Sequence, residues 1–160
     1  MRRLALAFVV AGLLVAAAAA PAAAKTTRIP VSTAAQAMTV LDPGTTTMHG
    51  SVMSVRGMVM REEGNWHNPV VDGPAINVVN YDLDLATGAG ELWGRGEHRP
   101  TAVPDGAWEC HFHAVFVNYS FTGKGVCHGI GSLRSWQWRV ELTQTPQGTA
   151  AEGYIFQPGH

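Results

Sequence analysis

Charge is scarce in this 160-residue chain: Asp, Glu, Lys and Arg make up 14% of it, and Lys25 and Lys124 are its lysines. After Arg2 and Arg3 the few cations are scattered singly. Without a basic cluster the sequence lacks the footprint of a polyanion binder, so nucleic acid is not an expected partner. Long apolar runs are missing after the first two dozen residues, so no membrane span is expected in the remainder. Helical stripes are missing as well, because no window sustains the 3.6-residue period over three turns. Catalytic signatures are equally thin: there is no G-x-S-x-G elbow, no Walker pattern and no G-x-G-x-x-G.

What is present begins with MRRLALAFVVAGLLVAAAAAPAAAKTT, in which Arg2 and Arg3 precede an apolar run that ends in Ala22, Ala23 and Ala24. That order is a secretory signal peptide over residues 1–24, cleaved near Ala24. A retained membrane anchor fits less well, since Pro21 and the closing alanines interrupt the run. The formal charge of −1 becomes two units more negative once Arg2 and Arg3 are lost. The expected location is secreted, periplasmic or cell-envelope. Export in turn governs Cys110 and Cys127, the only cysteines: in an oxidising compartment such a pair is expected to be a disulfide rather than a redox centre.

Residues 25–48, rich in Thr, Ala and Pro, read as an extended N-terminal arm, with a short helical turn in STAAQAM as the one local alternative. From residue 49 to 160 glycine and proline recur every few residues between β-rich runs. The clearest run is SWQWRVELT, where Trp136, Trp138, Val140 and Leu142 alternate with Gln137, Arg139 and Glu141. Candidate strands cover 51–61, 75–86, 90–99, 107–119, 125–133, 135–143 and 152–157. The expected fold is all-β: a single small antiparallel β-barrel, which removes the exposed edges an open sheet would carry, with a β-sandwich as the alternative. TGAGELWG (87–94) and TGKGVCHG (122–129) share a glycine frame, read as a turn followed by a strand glycine in a tightly curved sheet.

The runs VNYDLDLATGAGELWG, DGAWECHFHAVFV and GKGVCHGIGSL, with the closing GYIF, resemble a group of secreted bacterial proteins without an assigned activity. Their pattern is similar to the small barrels of the calycin and allene-oxide-cyclase type, over roughly residues 48–158. The resemblance implies a barrel and transfers no catalytic residue.

The stretch WECHFHAVFV (108–117) holds the densest chemistry. As a strand it puts Trp108, Cys110, Phe112, Ala114 and Phe116 on the core face. Glu109, His111, His113, Val115 and Val117 take the other face. If Cys110 lies directly across from Cys127, Glu109 faces His128 and His113 faces Lys124. His111, His113 and His128 then become candidate ligands for Zn²⁺ or Cu²⁺, with Glu109 at hand. The ordinary alternative is half-exposed barrel histidines, which Lys124 favours by repelling a cation. Glu62–Glu63, beside Gly64 and Asn65, reads as a solvated turn, and Asp82 and Asp84 as the wet face of a strand. Among the 5 tryptophans, Trp66 and Trp93 are candidate rim residues of a ligand pocket, and Trp136 and Trp138 core. The function expected is a non-enzymatic module that binds a small apolar ligand or serves structurally outside the cell, with no cofactor. The rival is an enzyme, metal-dependent through the histidine face or an isomerase or cyclase working in the barrel lumen.

Overall fold

Ten strands account for nearly all the regular structure in the computed structural model, which describes residues 26–36 and 38–159. They are β1 (Thr27–Gln36), β2 (Met38–Asp42), β3 (Thr45–His49), β4 (Val52–Glu62), β5 (Ala75–Asp84), β6 (Ala89–His98), β7 (Gly106–Val117), β8 (Ser120–Gly131), β9 (Gln137–Thr145) and β10 (Gly148–Gln157). All pair antiparallel in one sheet of order β1-β10-β9-β8-β7-β6-β5-β4-β2, with β3 also on β4. The hydrogen-bonded order is open. Its two ends are nevertheless consecutive pieces of one segment, since β1 ends at Gln36 and β2 begins at Met38. The sheet also curls strongly. Met38 of β2, Val79 of β5, Cys127 of β8 and Ala151 of β10 all line a single cavity, which a flat sheet of this width would prevent.

The segment expected to be an arm is therefore part of the sheet. β1 pairs with β10 from Thr27↔Gln157 to Gln36↔Thr149, and β2 and β3 together cover β4 from Glu62 to Val52. Val31 is buried in the core, with Ile29 packed against it. The described residues of STAAQAM, 32–36 and 38, are strand rather than a helical turn, with a register shift between Thr33 and Gln36. The expected leader, residues 1–24, lies outside the described residues.

The glycine echo divides into two different devices. In the first copy Gly88 turns the chain with φ 68°. In the second, TGKG lies inside β8, and the turn falls earlier, at Asn118 and Tyr119 with φ 51° and 64°, as a two-residue hairpin that extends β8 back to Ser120. Gly123 sits in the strand because a Cβ there would meet the Ala114 side chain and the His113 carbonyl. Cys110 and Cys127 are bonded and stand directly opposite each other, with Glu109↔His128 and His113↔Lys124 alongside. The register inferred from the cysteines holds.

The core gathers at one end of the curl. Trp66, Val71, Trp108, Leu133, Trp138 and Ile155 are buried there, and the loop 67–74 folds over that end. Trp108 Nε1 donates to the Val70 carbonyl at 2.9 Å, tying the loop to β7. Each fully buried side chain of this size contributes roughly 1.5–3 kcal/mol.

Candidate functional site

Alternation along the strands decides what faces inward. On β9 Trp138, Val140 and Leu142 point to the concave side, as read from SWQWRVELT. On β4 a bulge at Arg56–Gly57, marked by the register shift between Val55 and Met58 and by φ 71° at Gly57, resets the phase. Met58, Met60 and Glu62 then share the inward side. β5 adds Ala75, Asn77, Val79 and Tyr81, and β7 adds Cys110, Phe112 and Phe116. Together these enclose a cavity of about 270 Å³, close to the lower end of small-molecule sites. Met38, Met58 and Met60 form one flank, and their flexible thioethers adapt to a ligand's shape at little cost.

The floor is aromatic. Trp66 and Trp138 meet edge to face with centroids 4.7 Å apart, and His98 lies 5.5 Å from Trp138. Trp66 thus belongs to the pocket wall, though buried rather than at a rim. Trp93 does not belong there: it points to the convex side, where the Arg56 guanidinium stacks 4.8 Å above its ring.

Besides Tyr81 and His111, which also line this apolar space, two ionisable groups reach it, Glu62 and His98. Glu62 pairs with Ala75, and Ala75 with His98, so the carboxyl and the imidazole sit at one level, two strands apart, roughly 10 Å by strand spacing. Burial raises the Glu62 carboxyl to about 7 against the lowering effect of the Asn77 amide, whose Nδ2 donates to Oε2 at 3.3 Å. Asn77 is held by its neighbour: a Cβ at Gly96 would strike Asn77 Oδ1, so glycine there leaves room for the amide. His98 is buried, and its Nε2 donates to the Val71 carbonyl. Burial lowers its pKa, opposed by that bond and by the charge of Asp72. Because a carbonyl only accepts, Nε2 carries the proton and neutral His98 offers Nδ1 as an acceptor. Trp138 Nε1 is buried with no hydrogen-bond partner among the described residues.

Glu62 therefore corrects the solvated-turn reading of Glu62–Glu63. Only Glu63 is exposed, paired with Arg61 at 2.7 Å. Asp82 lies on the wet face as read. Ser54 and Arg56 bond its carboxylate and hold its pKa low.

The histidines occupy the opposite surface. His111, His113 and His128 share the convex, exposed side with Glu109, but they do not converge. Among the described residues no three of His, Cys, Asp and Glu are placed to hold a metal ion. Sheet pairing explains why: Arg95 stands opposite His111, and Lys124 opposite His113, while His113 Nε2 leans to Glu91 at 3.6 Å. No described helix is long and apolar enough to cross a membrane. Compared with known proteins, the chain matches no protein-family model and no curated sequence.

Proposed function

We propose that the protein is an exported, non-enzymatic binding module that takes a small apolar molecule against the concave face of its sheet. The observation that carries this reading is the cavity, walled mostly by methionine, valine, leucine and aromatic side chains, with Glu62, Asn77, Tyr81, His98, His111 and Thr149 as its polar lining residues. An apolar hollow with convergent polar groups is the ordinary form of a small-molecule site. The leader sequence and the Cys110–Cys127 bond support action outside the cytoplasm. The likeness to calycin and allene-oxide-cyclase barrels agrees with a ligand held inside a curled sheet.

Native mass spectrometry of the protein purified from its own host is expected to find a retained apolar molecule. The emptied protein should take up butylbenzene with a change in tryptophan emission. No retained molecule together with no uptake would end the proposal.

A second reading is favoured by one observation, the Glu62 carboxyl raised to about 7 by burial at the wall of the apolar cavity. Such a group is suited to general acid or base catalysis of an isomerisation or cyclisation. Glu62→Gln separates the readings: a binder releases its ligand unchanged with either side chain, whereas an enzyme converts it only with the carboxyl.

A further inference from the structure

The aromatic side chains along the cavity are not equivalent. Trp66 and Trp138 meet each other edge to face, and Phe116 meets both Tyr81 and Phe121 in the same way. Phe112 also lines the cavity, yet it makes no ring contact among the described residues. It is only half-buried although it points to the concave side. Sheet register explains its isolation. Gly94 stands opposite it on β6 and Gly125 on β8, so neither neighbouring strand supplies a side chain at that level. The ring leans over Gly94, where an added Cβ would come 2.4 Å from Phe112 Cζ. Over Gly125 there is room beside the ring: a Cβ there would meet Val140 Cγ1 at 2.9 Å but stand 3.7 Å from Phe112 Cβ.

The same level continues on the opposite flank. Gly94 pairs with Val79, and Val79 with Met58, so Met58 faces Phe112 across the gap that Gly94 leaves in the curl. Met60 follows two residues on, along the same wall. Both methionines are half-buried, and their flexible thioethers can close on a molecule that fills the gap.

The gap thus has an uncovered ring on one side and two adaptable sulfurs on the other. A flat aromatic ring suits both, because it stacks offset on Phe112 and takes the sulfurs against its edge. A saturated ring or an alkyl chain gains the burial of apolar surface but neither of these contacts. Resting on the binding function above, we propose that the cavity selects a molecule with a planar aromatic ring, seated on Phe112 and bordered by Met58 and Met60. At protein packing density the cavity holds about ten to twelve non-hydrogen atoms, so one ring with a short substituent fills it. Ring-on-ring and sulfur-on-ring contacts together add about tenfold in affinity beyond burial.

The test compares butylbenzene with butylcyclohexane, which share a carbon skeleton and differ in ring chemistry, by depletion of the free compound from the headspace over the protein. The saturated compound has the larger apolar surface, so hydrophobic transfer alone would favour it. Butylbenzene is expected instead to bind about tenfold more tightly. Phe112→Leu should keep the uptake of butylcyclohexane and bring the two compounds to within about twofold of each other. In the wild type with isotope-labelled methionine methyl groups, the ring current of butylbenzene should move the Met58 and Met60 resonances much further than butylcyclohexane does. That readout decides the matter if Phe112→Leu does not fold. Equal or tighter binding of butylcyclohexane to the wild type, or methyl resonances that respond alike to both compounds, would overturn the ring assignment while leaving the apolar site intact. An undiminished preference for butylbenzene in folded Phe112→Leu would overturn the seat on Phe112. If neither compound binds, the binding function fails first.

Discussion

The two faces of the same sheet differ more than any two segments of the chain. The convex face carries most of the charge and three histidines that do not converge, and several of its charges are paired across the strands, Lys124 with Glu141 at 3.7 Å and Arg56 with Asp82 at 2.7 Å. The concave face carries almost no charge, and its one carboxyl is shifted to about 7. Density of polar residues is therefore a poor guide to function here. Exposed pairs in water contribute little, whereas one acid in an apolar hollow is altered by its surroundings.

Tryptophan provides the sharpest way to break this comparison, because it occurs on both faces. Trp108 is fully buried and bonds the Val70 carbonyl; Trp108→Ala should cost about 3–5 kcal/mol by cavity formation and the lost bond. Trp93→Ala, which removes the ring stacked under Arg56, should cost less than about 1 kcal/mol. Urea denaturation of both variants measures the contrast. Equal costs would mean that the two faces share the stability evenly.

The disulfide is the next largest element, and it belongs to the concave side through Cys110 and Cys127. It closes a loop of 17 residues, so replacing both cysteines with alanine should lower stability by about 3 kcal/mol. Non-reducing peptide mapping should recover the linked pair from the folded protein. Readily labelled thiols in the folded protein would contradict the bond.

Titration distinguishes the faces in a different way. Glu62 has a folded pKa near 7 against an ordinary 4.5. Below 4.5 both states hold the proton and nothing is lost. As pH rises from 4.5 to 7 the unfolded chain releases its proton first, so stability falls, by up to about 3 kcal/mol. His98 acts with the opposite sign. Its folded pKa lies below 6.5, so the unfolded chain takes up a proton first as pH drops through 6.5, and stability falls toward acid. Just below 6.5 the two offset each other. Glu62→Gln should leave a profile that rises with pH through 6.5, and His98→Gln one that falls from 4.5 to 7. Asp82 and Asp84, both with lowered pKa values, enter only below about 4. Identical profiles for the two variants would show that neither group is shifted as described.

Much of this was legible in the residues. The alternation of SWQWRVELT set the inward face of β9, and the cysteine pair set the register of β7 on β8 and the side on which the histidines lie. Residues 27–49 were not legible as strands. Their Thr, Ala and Pro show little contrast between faces, and their partners, β10 and β4, are fixed by long-range pairing that local composition does not encode. Glu62 was hidden by its neighbours Glu63 and Gly64, which imitate a solvated turn. The signal that would have found it is the i, i+2 series Met58, Met60, Glu62, visible once the Arg56–Gly57 bulge has reset the strand's phase. His98 stands in a similar series, Leu92, Gly94, Gly96, His98, whose glycines conceal that it faces inward.

The smallest effects are expected where the sequence is most eye-catching. His113 is more than half exposed, as is its partner Glu91, and such a pair is worth at most a few tenths of a kcal/mol after screening. His113→Ala should therefore change stability by less than about 0.5 kcal/mol. A three-histidine Zn²⁺ site would bind strongly near neutral pH and weaken toward pH 5 as the imidazoles protonate. With Arg95 and Lys124 across the strands from His111 and His113, an incoming cation meets repulsion instead. Calorimetric titration of Zn²⁺ into the wild type should give weak binding that His113→Ala leaves unchanged. Submicromolar binding abolished by that one substitution would move the chemistry to the convex face and reverse the contrast between the two sides of the sheet.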